Sequence, residues 1–170
     1  MIRLVRPEKE HEAQAAAFKQ EFIDNGTPII NGSELLDQMD SYDDWLKSVT
    51  DNTSNDTVNP AWVVTDTYFA IDDNDSIVGI IDLRHELNDF LKDFGNSGYS
   101  VRPSERRKGY ATKMLRLILG RAKEIGMKSL QLGVERTNEP SVKTILKNGG
   151  KYQRSFTFEG EEADVYIIEL

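Results

Sequence analysis

Val101–Leu115 reads V-R-P-S-E-R-R-K-G-Y-A-T-K-M-L. A short strand ends in a proline turn, three cations follow, and Gly109-Tyr110-Ala111 leads into an apolar period. That period puts Ala111, Met114, Leu115, Ile118, Ala122 and Ile125 on one face, which predicts a helix over Lys108–Ile125 ended by Gly126. A helix N-terminus is partly positive and favours Asp or Glu. Arg106, Arg107 and Lys108 stand there instead. The first amides of a helix lack partners within it, and together with the dipole they make an anion site. Gly109 removes a side chain where a ligand approaches, and Ala111 keeps the next position small. The stretch therefore reads as a phosphate site, with a solvated basic helix end as the alternative.

Neither common phosphate loop fits it. A Walker loop needs a second glycine and Gly-Lys-Ser/Thr, and K-G-Y-A-T-K has neither. The dinucleotide fingerprint needs three glycines, and only Gly109 is present.

Working outward, Ile2–Arg6 predicts a strand, Pro7 to about Asp24 a helix, and Ser41 the cap of a short helix carrying Trp45, Leu46 and Val49. Ala61–Ile71 and Ile77–Leu83 predict a hairpin. Gly98–Val101 and Lys128–Val134 predict strands, Asn138–Asn148 a helix, and Tyr152–Phe158 with Val165–Leu170 a terminal hairpin. With no repeats or linker, residues 1–170 read as one mixed α/β domain, in the α+β sense.

The 170 residues carry a net charge of −8, which argues against a general nucleic-acid binder. Residues 101–130 hold nine of the 21 Lys and Arg, with only Glu105 and Glu124 as acids. Residues 31–60 hold seven acids against Lys47 alone. That acidic segment reads as a solvated face, or as a surface that attracts a cationic amine such as a polyamine. No apolar run is long enough for a membrane span, and no secretory apolar core opens the chain. Cysteine is absent, which rules out disulfides and thiolate sites and fits a cytoplasmic location. With two histidines, no metal site is expected.

Arg106-Arg107-Lys108-Gly109-Tyr110-Ala111 resembles the [QR]-x-x-G-x-[GA] signature of the GNAT superfamily of acyl-CoA-dependent N-acetyltransferases. Asn138-Glu139-Pro140-Ser141 resembles that family's second cofactor motif, N-x-x-[SA]. The order of elements agrees over nearly the whole chain. The stretches L-R-H-E-L-N and K-N-G-G resemble a branch named only as predicted acetyltransferases.

The resemblance implies a mostly antiparallel sheet of about seven strands and about four helices, splayed between its fourth and fifth strands. It implies acetyl-CoA as cosubstrate and a small-molecule or peptide amine as acceptor. Backbone amides from Arg106, Arg107, Lys108, Gly109, Tyr110, Ala111 and Thr112 would hold the pyrophosphate. Main-chain groups of Tyr99, Ser100 and Val101 would pair with pantetheine, and Asn138 would contact it with Ser141 nearby. The amine would attack the thioester directly in a ternary complex. Homodimers are common in the superfamily.

The chain departs from the family where protons move. Many members carry a tyrosine seven residues after the motif asparagine; Ile145 stands there. The strand before the cofactor motif reads G-N-S-G-Y, with no carboxylate. Candidate bases are Asp82, His85 and Glu86, or a water chain. Asp82 follows Ile80-Ile81 and is expected to point away from the core. His85 reads equally as a surface histidine at a strand end. These departures leave a non-catalytic acyl-CoA-binding sensor or interaction module as the alternative function.

Overall fold

The computed structural model describes residues 1–170. Seven strands and four α-helices follow in the order β1 (Arg3–Val5), α1 (Glu12–Asp24), α2 (Tyr42–Asp51), β2 (Thr65–Ile71), β3 (Ile77–Arg84), β4 (Tyr99–Val101), α3 (Tyr110–Glu124), β5 (Ser129–Glu135), α4 (Glu139–Lys147), β6 (Lys151–Phe158) and β7 (Glu161–Glu169). Short 3₁₀ turns at Lys9–His11 and Pro103–Glu105 precede α1 and α3.

The strands form two antiparallel sheets, β1-β2-β3-β4 and β5-β7-β6. No ladder joins β4 to β5. The chain just before β4 links the sheets instead: Asn96 N donates to Gln131 O, and Gly133 N donates to Phe94 O. This crossing is tight. A Cβ on Gly95, whose φ is +89°, would lie 2.3 Å from Gln131 O, and one on Gly133 would lie 2.2 Å from Asp93 O. Two glycines thus let backbone lie on backbone at the root of a gap between the sheets.

Helices cover both faces. α3 packs on one face of β3, where Met114 lies directly over Gly79. Met114, Leu115, Ile118 and Ala122 of α3 join Ile81, Leu83, Leu130, Leu132 and Ile145 in one core. On the other face, Phe18 and Phe22 of α1 and Trp45 and Val49 of α2 pack on Phe69, Ile77 and Ile80. Trp45 is core, and its indole N–H donates to Ser33 O at 2.8 Å. Ser41 caps α2, accepting from Asp44 N at 3.2 Å. No helix is long and apolar enough to cross a membrane.

Three sequence expectations shift. The first long helix starts at Glu12 rather than Pro7, after a 3₁₀ turn. Residues 61–64 run irregularly before β2 begins at Thr65. Helix α3 begins at Tyr110, so Arg106–Lys108 form the turn before it rather than its first turn. A left-handed pair enforces this break: Arg107 has φ +66° and Gly109 has φ +82°.

Candidate active site

A cleft of about 970 Å³ occupies the gap between the sheets. One wall is β4 with the turn leading to α3; the other is β5 with the start of α4.

At the basic end, Arg106, Arg107, Gly109, Tyr110, Ala111 and Thr112 line the cleft. The backbone N–H groups from Arg107 to Thr112 meet no acceptor in the protein; the first bond of this helix runs from Lys113 N to Gly109 O. Six consecutive free donors at a helix N-terminus are what a phosphate requires. The cations are placed separately. The Lys108 ammonium pairs with Glu105 at 2.7 Å and lies outside the cleft lining. The Arg106 guanidinium folds over the Phe22 ring, 5.8 Å from its centroid. Glu21 of α1 fastens the turn from below, accepting from Arg102 Nε at 3.0 Å and Ser104 N at 2.8 Å. A Cβ on Gly109 would meet nothing within 4 Å, so the space above the amides is open.

Mid-cleft, β4 is the edge of its sheet. Gly98 O accepts from Asp82 N, and Arg102 N donates to Val78 O. Antiparallel alternation then turns the Tyr99 and Val101 main-chain groups away from β3, into the gap. The side chains diverge: Ser100 Oγ donates to Asn31 O at 2.9 Å, while the Tyr99 hydroxyl lies 2.8 Å from Ser141 Oγ on α4. Burial raises the Tyr99 phenol above its ordinary value of 10, so it keeps its proton at neutral pH. Asn138 caps α4, its Oδ1 accepting from Ser141 N at 3.4 Å, and both residues line the cleft. Ile145 is buried and lines it too.

Asp82 corrects an expectation. It is fully buried, not turned away from the core. β3 is central in its sheet and covered by helices on both faces, so neither side of it is a solvent side. Asp82 Oδ1 accepts from Gly98 N at 2.6 Å, and its other oxygen lies 3.2 Å from Arg84 Nη2. Glu34, in the loop between α1 and α2, approaches Arg84 Nε at 4.0 Å. Burial first, then the neighbouring Asp82, pushes the Glu34 carboxyl well above the usual range; Arg84 opposes this in part. Glu34 therefore holds its proton more tightly than an ordinary carboxyl does, and the neighbouring Asp82 Oδ2 is buried without a hydrogen-bond partner. The carboxyl pair lies beneath the cleft, with Arg84 and Gly98 between it and the opening.

The other two candidate bases are not brought to the cleft. His85 Nε2 lies 2.8 Å from Asp66, which also pairs with Arg6 at 2.9 Å. Glu86 is exposed and outside the lining. Sequence reasoning missed Glu34, Trp62, Phe90 and Phe94. Glu34 sits in a loop held by left-handed backbone at Glu34 (φ 51°) and Leu35 (φ 71°), which leaves no periodic trace in the sequence.

The family model described as an acetyltransferase (GNAT) domain matches residues 3–151. This chain belongs to the GNAT acetyltransferase family. No curated protein matches it significantly. Among solved structures, the GNAT fold recurs at low identity. RimL, the ribosomal L7/L12 alpha-N-protein acetyltransferase solved with coenzyme A, is 14% identical with TM-score 0.69, over 99% of this chain and 94% of its own. The Salmonella typhimurium protein yncA, assigned as an acetyltransferase and solved with acetyl-CoA, gives the same four values. A chimera of Vibrio cholerae spermidine N-acetyltransferase SpeG with hSSAT is 15% identical with TM-score 0.66, over 99% and 94%. At such identities these GNAT structures share the fold with this chain, and no more is read from them.

Proposed function

We propose that this GNAT chain moves an acetyl group from acetyl-CoA to the nitrogen of an amine, on a small molecule or a peptide, by direct attack within a ternary complex. The observation that carries this reading is the row of six unpartnered amides, Arg107 to Thr112, opening into a cleft bounded by an unpaired strand edge.

In this reading the amides and Arg107 hold the pyrophosphate. Arg106 and Lys108 add positive potential through the turn they share. The Tyr99 and Val101 main-chain groups pair with the pantetheine arm as a further strand would, with Ser100 fixing β4 to the Asn31 loop. Asn138 and Ser141 contact the same arm from α4. When bound, acetyl-CoA supplies an activated acyl group. The amine nitrogen bonds to the carbonyl carbon, the carbon–sulfur bond breaks, and sulfur needs a proton. Tyr99 provides it, replacing the phenol absent at Ile145, with Ser141 orienting its hydroxyl; the proton lost by the amine nitrogen leaves through a water chain that in turn reprotonates the phenolate. Asp82 acts by position: it holds the Gly98 amide and so fixes where β4 enters the cleft. His85 and Glu86 take no part.

Ile145, apolar and buried against the cleft, favours the second reading, an acyl-CoA-binding sensor. Thiol release measured over a panel of amines separates the two. Amine-dependent release of free coenzyme A supports transfer. Tight acetyl-CoA binding with no release on any amine supports the sensor.

A further inference from the structure

The end of the cleft away from the amides is aromatic. Trp62 and Phe90 have ring centroids 6.2 Å apart, Phe90 and Phe94 5.4 Å, and Phe94 and Phe158 5.0 Å. Phe156 meets the edge of Phe94 at 6.3 Å. Three separate segments contribute these rings: the approach to β2, the loop after β3, and β6. All five line the cleft. Phe90 is 67% exposed. A single exposed phenylalanine means little, but a connected run in a cleft wall marks a ligand surface. The run lies beside Arg84, at the opposite end of β3 from Gly79, which pairs with Val101. Five residues of strand set the two ends about 16 Å apart.

The charge around this arm is mixed. None of the seven acids in residues 31–60 lines the cleft. The carboxylates that do, Glu105 and Glu135, belong to the turn before α3 and the end of β5 near Asn138. Carboxylates flank the aromatic run: Asp89 precedes Phe90, Asp93 precedes Phe94 and pairs with Arg154, and Glu135 faces Ala163, the partner of Phe156. Arg84 and Asp82, 3.2 Å apart, balance each other. One ammonium can rest on an aromatic face.

We infer that the arm walled by Trp62, Phe90, Phe94, Phe156 and Phe158 binds the acceptor, and that the acceptor is an amine with an aromatic or bulky apolar body. This rests on the acetyl-transfer reading of the same cleft and names the substrate class for it. The amine would enter with its apolar body on the rings and its nitrogen toward Gly98 and Tyr99.

The test is calorimetric titration of the full chain with phenethylamine and, separately, spermidine, each with and without coenzyme A, in wild type and Phe90→Ala. Phe90 is exposed enough that its removal spares the fold. The expected result is saturable phenethylamine binding that Phe90→Ala weakens about tenfold, with coenzyme A affinity unchanged. Flat phenethylamine titrations, tighter binding of spermidine, or an unmoved affinity in Phe90→Ala would overturn the assignment. Failure of coenzyme A to bind would instead refute the acetyl-transfer reading, while the titrations without it still decide what the aromatic arm accepts.

Discussion

The Tyr99 hydroxyl on β4 and the Ser141 hydroxyl on α4 lie 2.8 Å apart, spanning the cleft between the two sheets. One wall thus hands a phenol to the other at the level where the unpaired edge of β4 faces the opening. In the proposed mechanism this phenol stands in, from a different element, for the tyrosine absent at Ile145.

Tyr99→Phe removes only the hydroxyl. Thiol release should fall about a hundredfold if the phenol returns the proton. One lost neutral hydrogen bond should cost about 1 kcal/mol of stability. Burial raises the phenol, so the wild-type rate should show no tyrosine-linked decline until above pH 10. A Tyr99→Phe rate within twofold of wild type would remove the residue from proton transfer.

Gly109→Val tests the anion turn. Space is free there, but φ is +82°, a conformation a β-branched residue strongly disfavours. The strain should be relieved by moving the turn, at a cost of about 1–3 kcal/mol, and the amides should lose their common aim. Acetyl-CoA affinity, read by calorimetry, should drop at least about tenfold. Unchanged affinity would contradict the site.

Glu34→Gln tests the buried carboxyl pair. Glu34 holds its proton more tightly folded than unfolded, because burial and then Asp82 oppose its ionisation. From the ordinary value of 4.5 up to its raised folded value, the native chain keeps an extra proton, so stability falls as pH rises through that window. Glutamine cannot titrate and escapes this loss. The variant's melting temperature should rise relative to wild type between pH 5 and pH 8, by roughly 3 °C or more. Parallel curves for the two proteins would show that Glu34 is not held neutral.

Much of the fold was legible because it is periodic or punctuated. The α3 face, the Ser41 cap, the hairpins and the Gly126 stop each rest on local chemistry that survives in the native structure. The turn before α3 was only half legible: Gly109 stood out as a small residue where a ligand could approach, but the left-handed backbone at Arg107 and Gly109 that delays the helix to Tyr110 left no spacing to read. Asp82 was misplaced because alternation reports a solvent face only where one exists, and β3 has none. The aromatic end of the cleft was not legible at all. Trp62, Phe90 and Phe158 meet through loops and a distant hairpin, and Glu34 reaches Asp82 from a loop 48 positions earlier in the sequence. Their grouping is a product of topology, which leaves no local spacing to read.

The most direct test of the central claim is an amide-resolved NMR titration of the labelled chain with acetyl-CoA. The account predicts that the amide resonances of Arg107 to Thr112 move most, saturating with the binding curve, as their unpartnered N–H groups acquire phosphate acceptors. Binding of acetyl-CoA that leaves those six resonances in place would contradict it.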